Sequence, residues 1–358
     1  MPPTVIAQST SAAMGLGRAR PYTVGFCLLP NFPMMAFAAA IEPLRAANRL
    51  SGQSLFEWQL LSRDGEPVPA SNRIDFAVDG SIRDDPVVDL LLVCAGVHEA
   101  RLEDPAAHKW LRGVARRGVA IGGISLGAYM LAYAGLLDGR RCALHWESLA
   151  AFAERFPRIH TTTEIFVIDG NRCTCSGGTA ALDMMLQVIT SRHGRALAND
   201  VSEQFIHPRI RGTQDSQRMP VQSRLGVANE KLIAAIAMME AAHDEPRPVQ
   251  EIAAAVALST RQLERLFEKY LGSSPSRFYL KVRIDRARAM LLQTTKPILD
   301  IAVGCGFASA SHFSRCYRAQ YGHKPSDERS ASLPVRGSAA RSRKRMPGRR
   351  DQRAKAGQ

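Results

Sequence analysis

The stretch VQEIAAAVALSTRQLERLFEKYLGSSP, Val249 to Pro275, decides the architecture of the C-terminal part of the chain. Val249 to Val256 carries apolar residues at helical spacing and reads as a short amphipathic helix. Ala257-Leu258 makes a turn. Ser259-Thr260-Arg261-Gln262 then opens a second helix as a Ser-x-x-Gln capping box, in which each side chain takes a backbone N–H that the first turn of a helix leaves without a partner. Beyond the cap, Leu263, Leu266 and Phe267 share one face and enter a core. Thr260, Arg261, Gln262, Glu264 and Arg265 stay at the exposed N-terminal end, and these residue types reach base edges and phosphates when a helix enters the DNA major groove.

The same unit recurs downstream. Ile298 to Val303 forms a first helix, Gly304-Cys305-Gly306-Phe307 a turn, and Ser309 to Tyr321 a second helix with Phe313 and Tyr317 facing inward. Leu263 and Phe313 hold equivalent places 50 residues apart. The candidate DNA contacts are Thr260, Arg261, Gln262 and Arg265 in the first motif, and Ser309, Ser311, His312 and Arg315 in the second. Phosphate contact is favoured over base readout for the arginines, because phosphates and sugars take half or more of protein–DNA hydrogen bonds.

Charge follows the same division. Residues 1–248 hold 25 basic and 25 acidic side chains, residues 249–330 hold 13 and 7, and residues 331–358 hold 9 and 1, so the formal net charge of +14 lies wholly in the C-terminal third. A neutral front and a cationic back suggest a small-molecule or partner domain joined to a polyanion-binding one. Composition and periodicity place a disordered lead-in at 1–20, an α/β domain at 21–200, a linker at 201–224, an all-α domain at 225–330 and a disordered basic tail at 331–358. No signal-peptide pattern opens the chain, and no apolar run approaches the roughly 18 residues that span a bilayer, so a cytoplasmic protein with no membrane partner is expected. The seven cysteines, Cys27, Cys94, Cys142, Cys173, Cys175, Cys305 and Cys316, then read as reduced thiols. Cys173-Thr174-Cys175 is the one close pair, and without a second His or Cys cluster it implies no metal; no cofactor is implied either.

In the N-terminal part, strand-like runs alternate with helical ones: Tyr22 to Leu29, Phe56 to Ser62, Val88 to Cys94 and Val119 to Ile124 as strands, Met34 to Leu50, His108 to Arg117 and Gly127 to Leu137 as helices. Strands apolar along nearly their whole length predict a parallel sheet covered on both faces. Ile165 to Ile168, Asn171 to Cys175 and a helix from Thr179 to His193 complete the domain. Gly123-Ile124-Ser125-Leu126-Gly127, after a strand and before a helix, fits the G-x-S-x-G nucleophile elbow of serine hydrolases. His145, His160 and His193 follow it, but no acid-then-His pair stands out. A serine hydrolase or amidase using Ser125 and fused to a DNA-binding domain therefore stays open, as does an architectural DNA-binding protein with a degenerate dimerisation domain.

Residues 226–329 resemble the AraC/XylS family, through Leu263-x-x-Leu266-Phe267, Gly272-x-Ser274-Pro275, Arg283-x-x-x-Ala287-x-x-x-Leu291-Leu292, Ile298-x-x-Ile301-Ala302, Gly306-Phe307-x-Ser309-x-Ser311-x-Phe313-Ser314-Arg315 and Gly322-x-x-Pro325-Ser326. Ala257 stands where the first turn often has Gly, and Glu328 where an aromatic residue usually precedes the final Arg. The resemblance implies that both second helices enter successive major-groove segments about one helical turn apart on promoter DNA. Residues 22–195 resemble the ThiJ/PfpI superfamily, which is related to class I glutamine amidotransferases and has a flavodoxin-like parallel sheet. Its elbow normally carries Cys, where this chain has Ser125. Its catalytic members place a Glu after the first strand, where this chain has Ala36.

With Gly177-Gly178-Thr179-Ala180-x-x-Asp183, the combination resembles the amidotransferase-like subgroup of AraC regulators. That implies a non-catalytic sensing domain, an effector among amino acids or quaternary amines such as arginine, glycine betaine or carnitine, and activation of the genes for their catabolism. It also implies a homodimer and RNA polymerase as partners. By the same analogy the effector pocket takes the loop from Pro30 to Phe37, with Asn31 and Phe32, the turn Ala95-Gly96-Val97, the elbow at Ser125, and His145-Trp146-Glu147. An aromatic face beside a carboxylate suits a trimethylammonium or guanidinium group.

Overall fold

Strands that are apolar at successive positions have to be covered on both faces, and the front of the chain is built that way. A computed structural model describes residues 20–96, 102–213, 215–242, 244–294 and 296–332. The lead-in before Arg20, Val97 and the basic tail after Ser332 lie outside the described residues. The elements run β1 (Tyr22–Leu28), α1 (Met34–Ser51), β2 (Phe56–Ser62), β3 (Val68–Pro69), β4 (Asp75–Phe76), β5 (Gly80–Ser81), β6 (Leu90–Ala95), α2 (Pro105–Arg116), β7 (Ala120–Ser125), α3 (Gly127–Tyr133), β8 (Arg141–Ala143), α4 (Leu149–Arg155), β9 (His160–Thr162), β10 (Phe166–Asp169), β11 (Arg172–Cys175) and α5 (Ala180–His193). Seven strands form one sheet in the order β10-β11-β7-β6-β1-β2-β5. Its pairings are parallel except for the β10–β11 edge, where Phe166 faces Cys175.

Alternate strand residues feed two cores. Val24, Phe26, Leu28, Leu90, Leu92 and Cys94 pack with α1 and α5 on one face. Leu91, Val93 and Ile121 pack with α2 and α3 on the other. α3 stops at Tyr133, short of the predicted Leu137, because the chain leaves the helix through Gly135 at φ 71°. A further helix, α6 (Arg195–Gln204), occupies the start of the expected linker. Ala198 and Val201 are fully buried against the core shared with α1, a pair too sparse to show as a period in sequence.

The rest of the described chain is helical: α7 (Val221–Leu225), α8 (Glu230–Ala241), α9 (Val249–Ala255), α10 (Thr260–Leu271), α11 (Pro275–Gln293), α12 (Ile298–Gly304), α13 (Ala310–Tyr321) and α14 (Pro325–Ser332). Two small cores form. One gathers Leu232, Ile236, Ile252, Leu263, Phe267 and Tyr279, the other Ile284, Leu291, Ile301, Phe307, Phe313 and Tyr317. α11 contributes to both and also ties down both helix-turn-helix units. Its Tyr279 hydroxyl donates to Ala242 O and accepts from Arg247 N at 3.3 Å, before the first unit. Its Arg283 donates to Cys305 O at 2.8 Å and to Gly306 O, in the turn of the second, with the guanidinium 4.4 Å from the Phe307 ring centre.

Of the two departures from the family pattern, Glu328 has a local explanation and Ala257 carries backbone strain. Glu328 is nearly buried and accepts hydrogen bonds from Tyr317 at 2.7 Å, from Arg288 at 3.0 and 3.1 Å, and from His323, so a carboxylate network closes the second core where an aromatic ring would. Ala257 sits at φ 53°, in the left-handed region that glycine enters without strain. Its counterpart Gly306, at φ 72°, has no room for a side chain, since a Cβ would lie 2.6 Å from Pro246 Cδ and 3.0 Å from Asp244 O.

These two turns should respond oppositely to exchange. Ala257→Gly relieves left-handed strain of about 1–2 kcal/mol at an entropic cost of about 0.5–1 kcal/mol, a net gain of about 0.5–1 kcal/mol. Gly306→Ala adds that strain to a clash and costs about 2–4 kcal/mol. Thermal denaturation of the two variants beside wild type checks the signs.

Candidate functional site

The proposed DNA-reading face begins with the helix caps. Ser259 Oγ accepts from Gln262 N at 3.2 Å while Gln262 Oε1 accepts from Ser259 N at 2.8 Å, which closes the capping box. Ser309 Oγ accepts from His312 N at 3.2 Å at the head of α13. Caps of this kind fix where each helix begins, and with it where its first-turn side chains stand. Arg261, Gln262, Arg265, Ser309, Ser311, His312 and Arg315 are all exposed, and Thr260 is half-buried. Gln262 and Ser309 are partly committed to the caps: the Gln262 amide NH2 and the Ser309 hydroxyl hydrogen are what they have left to offer.

In the α/β domain, glycines make the elbow possible. Ser125 has φ 56°, and a Cβ on Gly127 would lie 1.9 Å from Val93 O, one on Gly123 2.5 Å from Ala128 N. Asn31 is also left-handed, at φ 63°, and a Cβ on Gly96 would lie 1.8 Å from its carbonyl oxygen. Gly177 closes on the other side, with its would-be Cβ 3.0 Å from Ser125 Cβ. Asn31, Gly96, Ser125 and Gly177 thus meet at the C-terminal ends of the strands. Phe32 does not join them. It is fully buried, with its ring edge-on to Phe37 and Phe76, so it anchors the loop rather than walling a pocket.

The chemistry around the elbow is poor in partners. Among the described residues no imidazole or carboxylate hydrogen-bonds to Ser125, and Ala36 is fully buried in α1. Cys175 lies beneath, buried, and burial pushes its thiol up to about 11 even though the Gly177 and Ser125 amides bond to it. Such a group is not a thiolate at neutral pH. Among the described residues no set of three His, Cys, Asp or Glu side chains is placed to hold a metal, and no helix is long and apolar enough to cross a membrane.

His145, Trp146 and Glu147 stand elsewhere. Trp146 and Glu147 line a cleft of about 690 Å³ whose other wall is the helical part: Glu240 on α8, Lys281, Asp285, Arg286 and Arg288 on α11, and Tyr321 on α13. Asn31, Gly96 and Ser125 do not line this cleft, so the single wall expected from sequence divides into two places. Trp146 is 41% exposed and therefore is not a core residue. The His145 ring lies 5.6 Å from it, and His145 Nδ1 is 3.7 Å from Glu147 Oε2. The guanidinium of Arg218 lies 4.6 Å from the Trp146 ring centre. Arg286 Nε is buried without a hydrogen-bond partner among the described residues.

Comparison with known proteins matches these parts. The helix-turn-helix domain model covers residues 252–331 and the DJ-1/PfpI family model residues 32–191. The HTH-type transcriptional regulator GbdR of Pseudomonas aeruginosa is 48% identical over 309 residues, 86% of this chain and 84% of that protein. The chain belongs to the AraC-type regulators with a DJ-1/PfpI domain. It is a DNA-binding transcriptional regulator, and two further HTH-type transcriptional regulators of the same organism align over a larger share of both chains at lower identity. CdhR is 47% identical over 93% of this chain and 98% of its own length, and ArgR 40% over 87% and 94%.

The Gly177-Gly178-Thr179-Ala180-x-x-Asp183 motif has a part in this regulator that its sequence does not show. Asp183, in the first turn of α5, is fully buried and accepts from Arg211 N at 2.7 Å, from the Arg211 guanidinium at 2.7 and 3.0 Å, and from His207 Nε2 at 2.9 Å. Arg211 also donates to Thr179 Oγ1 at 2.7 Å. A buried carboxylate requires such partners, and here they are recruited from the segment that leads to the DNA-binding domain. Asp183→Ala should lower stability by about 1.5–3 kcal/mol, the loss of the charge-assisted hydrogen bonds from Arg211, which is itself partly exposed and can turn to water. Hydrogen exchange should accelerate at residues 205–213; unchanged protection there would remove the anchoring role.

Proposed function

We propose that this regulator is a ligand-responsive activator whose DJ-1/PfpI domain senses a small nitrogenous metabolite, an amino acid or quaternary amine of the kind of arginine, glycine betaine or carnitine. The observation that carries the reading is the Trp146 face. It already seats a guanidinium, that of Arg218 at 4.6 Å, which is the head group of free arginine and close in charge and size to trimethylammonium. Glu147 supplies a carboxylate beside it. A zwitterionic effector would set its cation there and its carboxylate on Arg286, whose Nε has no partner among the described residues. The elbow then serves as a backbone turn that shapes the domain, without catalysis, metal or cofactor.

The regulator acts in the cytoplasm as a homodimer, with Thr260, Arg261, Gln262, Arg265, Ser309, Ser311, His312 and Arg315 facing direct-repeat half-sites on double-stranded promoter DNA, and with RNA polymerase as the partner it recruits. One observation favours a second reading. The left-handed backbone at Ser125 has the geometry that exposes a nucleophile, as in a serine hydrolase or amidase. A serine hydroxyl without a matched base is a weak nucleophile, which sets that reading second.

Electrophoretic mobility shift of the full-length protein on its own upstream DNA, at fixed near-physiological salt, should show sequence-specific retardation that changes with arginine, glycine betaine or carnitine. Retardation equal on all sequences and lost with modest added salt would leave only a polyanion binder. Ser125→Ala should keep the effector response and change no ester or amide turnover; loss of turnover with DNA binding intact would establish the hydrolase instead.

A further inference from the structure

The segment that joins the two domains changes its attachments at Met219-Pro220. On the near side Arg211 is held by Asp183, and Gln217 Nε2 donates to Leu144 O at 3.0 Å and to Glu164 O at 2.8 Å. Ser216 forms a β-bridge with Glu164. On the far side Val221 and Leu225 pack onto the first helical core, and Arg224 binds Glu240 of α8 at 2.9 Å. Arg218 lies at the seam and touches both domains. Its guanidinium covers Trp146 of the α/β domain, and its Nη1 lies 3.4 Å from Glu240 Oε2 of the DNA-binding domain.

We propose that Arg218 is a built-in competitor for the effector's cationic head, so that occupation of the Trp146 face displaces the Arg218 guanidinium and cuts the Trp146–Arg218–Glu240 link between the two domains. The inference rests on the reading of Trp146 as the effector's cation seat. A second cation on that face would stand within a few ångströms of the first, and like charges at that distance exclude one another. Leaving costs Arg218 little. Its side chain is 37% exposed and can turn to water, and Glu240 keeps Arg224 as its ion-pair partner. Displacement therefore leaves no buried charge unpaired, which is what an exchangeable internal ligand requires.

The test uses the full chain labelled with 5-fluorotryptophan, whose three 19F signals report Trp58, Trp110 and Trp146, with Trp146→Leu giving the assignment. Tetramethylammonium chloride is the probe, at constant ionic strength made up with sodium chloride. The Trp146 signal should shift, and in Arg218→Ala it should saturate at about 5- to 30-fold lower probe concentration, the factor set by losing a competing cation–π contact. Arg218→Lys, which keeps a cation, should titrate near wild type. Arg218→Ala without effector should also shift promoter DNA as wild type does with saturating effector.

Equal or higher saturating concentration in Arg218→Ala, with unchanged circular dichroism, overturns the proposal. A DNA shift in Arg218→Ala that still needs effector overturns the link. If the probe behaves as stated but arginine, glycine betaine and carnitine leave Trp146 unmoved, the effector class fails and the competitor role of Arg218 stands. If those metabolites bind with Trp146 unmoved, the effector reading survives and this one falls.

Discussion

A carboxylate with no exposed surface, Asp183, governs how the two halves of this regulator are joined. Its negative charge at the head of α5 is tolerable only with full hydrogen-bond satisfaction, and the donors are Arg211 and His207 from beyond the α/β domain proper. Once they are in place the path of the chain is set. Gln217 comes to the carbonyls of Leu144 and Glu164, and Arg218 arrives over Trp146. A segment without apolar periodicity is thereby made as definite in its course as a strand, mainly through polar contacts, with Phe205 and Ile210 packed against the α/β core.

The DNA-binding half solves a different problem, the relative placement of two reading helices. Both units hang from one 19-residue helix, α11, which contributes Tyr279 to the first core and Ile284 and Leu291 to the second. Tyr279 and Arg283, one helical turn apart, reach respectively the segment before the first unit and the turn of the second. A single helix of about 28 Å, at 1.5 Å per residue, thus ties the two units together.

What was legible in sequence was what local physics determines. Caps at Ser259 and Ser309 need only partners three residues away, and the elbow needs only Gly123, Ser125 and Gly127 in order, so both showed in the string. The alternation of apolar runs gave the parallel sheet for the same reason. The partners of Trp146 and Asp183 were not legible, because Arg218 and Arg211 stand 72 and 28 residues downstream in a stretch with no period. Phe32 misled for a related reason: a loop position beside a strand end looks like a pocket wall until the aromatic neighbours Phe37 and Phe76 claim it. Glu328 read as a departure from pattern, and only the position of Arg288 and Tyr317 shows why an acid belongs there.

The contacts among Asn31, Gly96, Val93, Gly127, Ser125 and Gly177 are made largely by main chain at distances that admit no side chain. Architecture and chemical preference are therefore written in different residues of this domain. Side chains around these glycines can be exchanged without disturbing the turn geometry beneath, and the glycines carry the inheritance of shape.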